Sequence, residues 1–275
     1  MYMKFKDGKS KVLTLSYDDG VCQDVRLMKI LDTYGIKCTF NINSGWYARE
    51  EAVREKFSGR MKLSEAKEVY IGSGHEVAIH GYDHLFMEKL SEDEIITEVI
   101  DDRRDIEKQY GMLARGMAYP FGRYNDRVIE MLKKCGICYA RTTKNTSSFA
   151  LPEDWLAWHP TCHHKHPNLM ELAQKFADAK SRYVGENWMF YVWGHAFEFD
   201  DQNNWEVIEK FAEYIGGKDD IWYATNIEIY DYVKAYENLQ TSVDKTIVHN
   251  PSAMDVWFAH KNQIHCVKGG QTLYL

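Results

Sequence analysis

Proline and long apolar stretches are scarce in this sequence of 275 residues. Its five prolines exclude a proline-rich linker or a low-complexity chain. A helix that spans a bilayer needs about 20 consecutive apolar residues, and no such run is present. The first ten residues hold no apolar core after the lysines, so no secretory signal is visible. We therefore expect no membrane partner and a cytoplasmic location.

A surplus of basic residues is missing as well. Lysine and arginine number 34 against 41 aspartates and glutamates, which gives a formal net charge of −7. Because recognition of a phosphate backbone needs a basic face, a nucleic acid is not an expected partner. The six cysteines are scattered through a sizeable chain, a pattern that indicates free thiols in a reducing compartment. Nothing in the sequence indicates the oligomeric state.

Short apolar runs alternate with longer helical patterns along most of the chain. Runs rich in β-branched and aromatic residues predict strands at 11–17, 38–42, 76–80, 116–120, 137–143, 156–162, 189–194 and 221–225. Apolar periodicity and capping residues predict helices at 24–34, 91–110, 125–134, 168–183 and 205–215. Strands that alternate with helices predict an α/β fold with a parallel sheet, and eight such units predict a barrel or a variant of one.

The residues after Thr241 break this alternation. We therefore expect two parts. Residues 1–240 form a (β/α) barrel, and residues 241–275 form a small, strand-rich C-terminal appendage that packs on the barrel. No function is assigned to the appendage.

Titratable side chains stand where several of the predicted strands end. Asp18 and Asp19 follow the first strand, His80 ends the third with His84 beyond it, and His195 follows the seventh. In parallel barrels the carboxyl ends of the strands form one mouth, where the chemistry sits. Two adjacent carboxylates disfavour joint ionisation unless a cation separates their roles, although aspartates also cap turns. We expect these groups to converge on one site.

The segment His80-Gly-Tyr-Asp-His84 carries the sharper signal. Histidines four residues apart on a helical turn face the same way, a geometry that chelates zinc. Such pairs also occur by chance, but here Asp19 supplies a third, anionic ligand. Two histidines and a carboxylate with open positions are typical of a catalytic rather than a structural metal site. The sequence thus predicts a divalent cation, with Zn²⁺ favoured and Co²⁺ or Ni²⁺ also suited to these ligands.

Four segments together resemble the motifs of the polysaccharide deacetylase family, the family four carbohydrate esterases. They are 15–20 (LSYDDG), 80–84 (HGYDH), 119–122 (YPFG) and 192–195 (VWGH). The resemblance implies a distorted parallel (β/α) barrel of seven or eight units. It also implies a metal-dependent hydrolase that removes acetyl groups from an N- or O-acetylated carbohydrate.

The resemblance also implies a role for individual residues. Asp18 matches the general base and His195 the general acid of the family. The backbone N–H of Phe121 matches the donor that binds the oxyanion. The positions that match the metal ligands are Asp19, His80 and His84.

Further candidates line the predicted mouth. The expected partner is a carbohydrate or a small amide, and the candidate substrate-binding residues are Tyr119, Trp193, Arg141 and His163. His163 belongs to the segment Cys162-His-His-Lys-His166, which is a candidate mouth segment or second metal site, with an incidental surface cluster as the alternative. Glu198 follows His195 closely and is a candidate to tune it or to contact substrate.

Departures from the family pattern indicate a divergent member. Gly81 stands where the family has serine or threonine, and Ala118 where it has an arginine that holds the catalytic aspartate. No convincing fourth motif is present, so the partner of His195 stays open. Two other functions remain: an amidohydrolase acting on a small non-sugar amide or ureide, and a carbohydrate-binding protein without catalysis. The alternative replacements for the missing arginine are Arg115, Arg123 and Arg141.

Overall fold

The computed structural model describes residues 1–56, 59–181 and 183–275. Its strands, in chain order, are β1 (Tyr2–Lys4), β2 (Lys11–Asp18), β3 (Cys38–Ile42), β4 (Glu76–Ile79), β5 (Gly116–Ala118), β6 (Tyr139–Arg141), β7 (Cys162–His163), β8 (Trp188–His195), β9 (Ile221–Tyr223), β10 (Gln240–Thr241), β11 (Ile247–His249), β12 (Val256–His260), β13 (Gln263–Val267) and β14 (Thr272–Tyr274). Its α-helices are α1 (Asp24–Thr33), α2 (Glu51–Lys56), α3 (Leu63–Tyr70), α4 (Glu92–Tyr110), α5 (Asp126–Lys134), α6 (Leu169–Asp178), α7 (Phe197–Asp201), α8 (Glu206–Ile215) and α9 (Asn226–Glu237).

The central sheet is parallel and contains β2 to β9. Its strand order is β6-β5-β4-β3-β2-β8-β7, and β9 pairs with the first residues of β2. An isolated parallel bridge joins Arg141, at the end of β6, to Trp158, which precedes β7. This bridge links the two ends of the strand order. The fold is thus the predicted distorted parallel (β/α) barrel.

Alternation along β2 explains why polar side chains point into the barrel. All eight residues of β2 are buried, and successive side chains of a strand point to opposite faces. Leu13, Leu15 and Tyr17 belong to the main hydrophobic core together with residues of α1, α4 and α8. The side chains between them are polar, and they end at Asp18. The alternation therefore delivers Asp18 to the inner face of the barrel.

Two details of the sequence prediction are wrong. The segment 156–162 is not a strand, because a 3-10 helix occupies Trp155–Ala157 and β7 begins only at Cys162. Pro160 lies between them and has no N–H to donate to a neighbouring strand. The helix predicted at 168–183 ends at Asp178. Its buried apolar stripe stops at Phe176, and the exposed Lys180 and Ser181 do not continue it.

The helix starts read from capping residues are confirmed. Ser91 caps α4 by accepting a hydrogen bond from the N–H of Glu94, and Asn125 caps α5 by accepting one from the N–H of Val128. α4 is followed by its C-cap, Gly111, which has a left-handed φ of 68°. These caps satisfy backbone groups that the ends of a helix leave unpaired.

The C-terminal segment is rich in strands, as predicted, and these strands form two antiparallel sheets. One sheet has the order β10-β11-β14, and the other has the order β1-β12-β13. β1 lies at the opposite end of the chain, and the sequence carries no signal for its pairing with β12. The division of the chain at residue 240 stays a prediction.

Within the described ranges, no helix combines the length and the apolar character that crossing a bilayer requires. All six cysteines carry free thiols, as the sequence predicts.

Candidate active site

The carboxyl ends of β2, β4 and β8 meet at one cleft. Asp18, the last residue of β2, pairs in register with His195, the last residue of β8. His80 follows β4 directly. The cleft has a volume of about 640 Å³, and its lining residues are Asp18, Asp19, His80, His84, Phe86, Tyr119, Phe121, Gly122, Arg123, Thr143, Trp193 and His195.

The predicted metal ligands converge at the floor of this cleft. Nε2 of His80 lies 3.8 Å and Nε2 of His84 lies 3.9 Å from Oδ1 of Asp19. All three ligand atoms lie within 4.8 Å of one another. Asp19 and His84 adopt left-handed backbone conformations, with φ of 85° and 57°, which cost conformational energy in residues other than glycine. The surrounding structure holds this strained backbone, and the strained backbone brings the three side chains together.

The proton positions on the two histidines suit a cation. Nδ1 of His80 lies 2.8 Å from the carbonyl oxygen of Ala118. A neutral ring therefore donates from Nδ1 and keeps the lone pair of Nε2 toward Asp19. Burial lowers the pKa of His80, and burial together with the neighbouring His80 lowers the pKa of His84 to about 3. Both rings are then neutral near neutral pH, which is the form that binds metals, so the residues fit a divalent cation.

Hydrogen bonds from two neighbouring elements fix the backbone of His80. Asp102 on α4 accepts the N–H of His80 at 3.0 Å and the N–H of Ser44 at 2.7 Å. The side-chain amide of Asn43 donates to the carbonyl oxygens of His80 and Gly81, both at 2.6 Å. Gly81 has a left-handed φ of 79°, which glycine adopts without strain. The backbone conformation therefore accounts for glycine at this position.

Arg60 holds Asp19 from the opposite side. Its Nη2 lies 2.7 Å from Oδ1 of Asp19, and its Nη1 donates to the backbone oxygen of Asp19 at 2.9 Å. The two side chains are 7% and 12% exposed. Burial would raise the pKa of Asp19, but the charges of Arg60 and the nearby histidines outweigh burial and lower the pKa to about 2. Asp19 is thus a largely buried, ionised carboxylate.

Arg141 is the arginine that holds Asp18. It makes a buried ion pair with Oδ2 of Asp18, and Asn41 donates to Oδ1 at 2.8 Å. Burial raises the pKa of Asp18, but Arg141, His80 and His195 outweigh burial, and the net shift is downward. Arg141 stands directly across from Ala118 in the pairing of β6 with β5. The supporting arginine therefore lies one strand away from the position that the family uses.

His195 lies between two carboxylates. Its Nε2 is 3.9 Å from Oδ2 of Asp18, and its Nδ1 is 3.5 Å from Oε2 of Glu198. The backbone N–H of His195 also donates to Oε2 of Glu198, at 3.3 Å. Burial of the ring lowers the pKa of His195, but Glu198 and the two aspartates outweigh burial and raise it above the ordinary value. Glu198 therefore occupies the position next to His195 that the sequence analysis left open.

Phe121 lines the cleft. Its φ is 57°, and the flanking amides are used, since Gly122 N–H donates to Tyr119 O and Arg123 N–H donates to Pro120 O. Among the described residues, the Phe121 N–H has no acceptor. The Phe121 ring stacks on Phe86, with centroids 3.9 Å apart. The cleft thus offers a free amide donor beside an aromatic wall.

The candidate substrate-binding residues occupy different depths. Tyr119 and Trp193 line the cleft, but the Tyr119 hydroxyl donates to Leu156 O and the Trp193 indole donates to Asn145. Arg141 is fully buried beneath the cleft, with its guanidinium 4.5 Å from the centroid of the Trp193 ring. His163 is not among the lining residues and lies against Glu198. This placement favours supporting roles for Arg141 and His163.

Sequence reasoning missed Arg60 and Asp102. Asp102 did leave a signal: an acidic residue spaced like the apolar residues Ile95, Val99 and Ile106 on the buried face of α4. Arg60 left none, because it lies 41 residues from Asp19 and outside the named helices and strands.

Comparisons with known proteins agree with this geometry. A family model described as polysaccharide deacetylase matches residues 5–140. This part of the chain belongs to the polysaccharide deacetylase family. The match spans about half of the chain, and it includes the Asp18-Asp19 and His80–His84 motifs. The comparison with curated proteins gave no significant match.

Solved structures of this family share the fold. An assigned polysaccharide deacetylase from Mycobacterium smegmatis has a TM-score of 0.58 at 17% identity, over 86% of this chain and 95% of that one. A family 4 carbohydrate esterase from Streptomyces lividans, in complex with acetate, has a TM-score of 0.50 at 15% identity, over 78% and 91%. A family 4 pseudoenzyme from Bacillus anthracis has a TM-score of 0.50 at 18% identity, over 84% and 68%. Identities this low show the fold alone, and one of these proteins is a pseudoenzyme.

Proposed function

We propose that this protein is a metal-dependent deacetylase that hydrolyses the acetyl group of an N- or O-acetylated carbohydrate. One observation carries the proposal. Asp18 lies beside the Asp19–His80–His84 cluster, with its Oδ2 3.8 Å from Nε2 of His80 and 3.9 Å from Nε2 of His195. The proposed base, the proposed metal ligands and the proposed acid thus lie close enough together to contact one small group at the floor of the cleft.

Asp19, His80 and His84 would hold the cation. When bound, a divalent cation supplies Lewis-acid chemistry, which polarises a carbonyl and acidifies water. Zn²⁺ suits two neutral imidazoles and one carboxylate. The hydrogen bond from His80 to Ala118 O orients one ligand, and Arg60 fixes another.

Asp18 acts as the base. Arg141 and Asn41 occupy its two oxygens from the buried side, so the carboxylate is held ionised and in one orientation. It takes the proton of the attacking water. Positioned general bases contribute about 10²- to 10⁴-fold to a rate.

His195 acts as the acid on the other side of Asp18. Its raised pKa keeps the ring protonated at a higher pH than that of an ordinary histidine. The proton on Nε2 goes to the departing amine or alcohol, since Nδ1 faces Glu198. The free Phe121 N–H donates to the oxyanion, a contact whose loss costs roughly 3 kcal/mol in comparable sites.

The walls of the cleft favour a sugar ring as substrate. Phe86 and Phe121 form a stacked pair at its edge. Phe86 is 37% exposed and Phe121 is 47% exposed. Aromatic rings bury the apolar face of a ligand while polar neighbours orient it. Arg123 and Thr143 supply such polar groups in the same wall.

The decisive experiment combines metal analysis with acetate release from a panel of N- and O-acetylated oligosaccharides. Small cyclic ureides in the same panel test the alternative amidohydrolase activity. Asp18→Asn should lower acetate release by about 10²- to 10⁴-fold while zinc content stays at the wild-type level, because Asp18 is not one of the ligands.

Asp219→Asn is the matched control, since Asp219 is exposed and lies just before β9, away from the cleft. Thermal unfolding checks that Asp18→Asn is folded, because the substitution removes the charge partner of Arg141. Normal turnover by a folded, zinc-loaded Asp18→Asn protein would remove Asp18 from the mechanism. Binding of acetylated sugars without turnover in the wild type would instead indicate a binding protein.

A further inference from the structure

A second histidine–carboxylate cluster lies behind His195. It consists of His163 and His164, on the segment that contains β7, and Glu198 on α7. Their ligand atoms lie within 4.8 Å of one another, as in the first cluster. Nε2 of His163 lies 3.1 Å and Nε2 of His164 lies 3.3 Å from Oε2 of Glu198. The cluster is therefore either a second metal site or a support for His195.

The backbone of Lys165 decides the proton position on His163. The N–H of Lys165 donates to Nδ1 of His163 at 3.1 Å, so Nδ1 carries no proton. A neutral imidazole then bears its proton on Nε2, which is the nitrogen next to Glu198. A metal would need the lone pair of that same nitrogen. His163 is thus arranged as a donor to Glu198 and not as a metal ligand.

The remaining groups of the cluster also favour a support for His195 over a metal site. Nζ of Lys165 lies 2.6 Å from Oε1 of Glu198, so the lysine ammonium group already pairs with the second carboxylate oxygen. His164 is stacked between Tyr17 and Phe199, and its ring is buried. Burial, followed by the neighbouring His163, lowers the pKa of His164 to about 2, so this ring is neutral. It adds no charge to the cluster.

Glu198 is held on three sides and faces His195 with its fourth. His163, Lys165 and the backbone N–H of His195 contact its carboxylate, and the side chain is 15% exposed. Nδ1 of His195 is buried and forms no hydrogen bond within the described structure, and the carboxylate oxygen beside it, at 3.5 Å, is Oε2 of Glu198, which also contacts His163. A carboxylate on Nδ1 orients an imidazole and directs its other nitrogen to the reacting group.

We propose that Glu198 is the positioning residue of His195, and that His163 and Lys165 hold Glu198 in place, so that this second cluster is a proton-orienting support and not a second metal site. The inference rests on the proposed acid role of His195. The supporting residues come from two places. Glu198 lies three residues after His195, and His163 and Lys165 lie on the segment that includes β7. The charged and titratable groups that face His195 are Glu198, His163 and His164 on one side and Asp18 and Asp19 on the other.

The first test needs no substrate. The ¹⁵N chemical shifts of the His195 ring, assigned with His195→Gln, report which nitrogen carries the proton at a pH where the ring is neutral. Wild-type protein should show the proton on Nδ1. Glu198→Gln should lose this preference, and Glu198→Asp should keep part of it. Identical His195 shifts in wild type and folded Glu198→Gln would overturn the proposal even if no acetate release is ever found.

The second test uses the acetate-release assay once a substrate is known. Glu198→Gln should lower kcat about 10- to 100-fold, the usual effect of losing such an outer partner, with KM nearly unchanged. Glu198→Asp should recover part of kcat, and Glu206→Gln on α8 is the matched control because Glu206 is exposed. Unchanged kcat in Glu198→Gln would contradict the positioning role while leaving the deacetylase proposal intact.

The third test addresses the metal alternative directly. Zinc titration of wild-type protein should give the same stoichiometry as titration of Glu198→Gln. An additional equivalent that binds the wild type and disappears in Glu198→Gln would show that the second cluster is a metal site.

Discussion

Two clusters of two histidines and one carboxylate lie near each other, one lining the cleft and the other behind His195, and they differ in where the protons lie. In the first cluster, His80 faces a backbone acceptor, Ala118 O, so its Nδ1 donates and Nε2 keeps its lone pair. In the second, His163 faces a backbone donor, Lys165 N, so its Nδ1 accepts and Nε2 becomes a donor. Both clusters combine two imidazoles with one carboxylate. The backbone groups next to His80 and His163 determine which cluster suits a cation and which suits a hydrogen-bonded support.

The two carboxylates differ in a related way. Asp19 meets Arg60 through Oδ1, the same oxygen that faces His80 and His84. Glu198 divides its oxygens, with Oε1 on Lys165 and Oε2 toward the histidines. Both carboxylates are ionised, since their pKa values lie below the ordinary range despite the cost of burial. Charge alone therefore does not separate a ligand set from a support.

The largest expected effect is a difference in zinc content between variants of the two clusters. His80→Ala should lose bound zinc, because it removes one of three ligands, whereas His163→Ala should keep about one zinc ion per chain. Elemental analysis after gel filtration measures both proteins under one condition. Loss of zinc from His163→Ala, or full retention in His80→Ala, would reverse the assignment of the two clusters.

An intermediate effect concerns the pH dependence of kcat/KM. His195 must be protonated to act as an acid, so activity falls as pH rises through its pKa. Since Glu198 helps to raise that pKa above the burial-lowered value, Glu198→Gln should move the basic limb of the profile to lower pH.

The profile is measured with one substrate across the alkaline range, with Glu206→Gln as the control. A basic limb that stays in place in Glu198→Gln would mean that another group sets it. A shift to higher pH would contradict the sign of the Glu198 effect.

The smallest effect is expected for His164→Leu. Both ring nitrogens of His164 are buried and have no hydrogen-bond partner in the described structure. A side chain of similar volume should change the free energy of unfolding by less than about 1.5 kcal/mol and leave the zinc content unchanged. Chemical denaturation and elemental analysis check both points. A loss of zinc would show that His164 acts as a ligand and would unite the two clusters in function.

Much of the barrel could be predicted because its strands carry strong local signals. The predicted 38–42 strand matches β3, and the predicted 11–17 strand falls one residue short of β2. β7 could not be predicted well, because two paired residues leave little pattern and Pro160 interrupts the run. β1 is also short, with three residues, and its partner, β12, lies at the other end of the chain.

The candidate site, like the barrel, could be predicted from the sequence only in part. Asp18, Asp19, His80, His84 and His195 stand in local motifs, and the structure brings all five to one cleft. Arg141 could not be chosen over two other arginines, because the choice depends on the register that sets β6 against β5. Arg60 lies in a segment without regular periodicity and reaches Asp19 only through the fold.

The sequence by itself indicated the proposed base and acid, Asp18 and His195, because each lies at the end of a strand that its own neighbours specify. Only the tertiary structure decided what supports them. Asp19 and Asp18 are held by arginines from distant parts of the chain, Arg60 and Arg141, and Glu198 reaches His195 through the turn after β8. The proton positions on His80 and His163 depend on backbone groups that no side-chain pattern encodes. Hydrogen bonds to the backbone are set by packing and register, so they become visible only once the chain is folded.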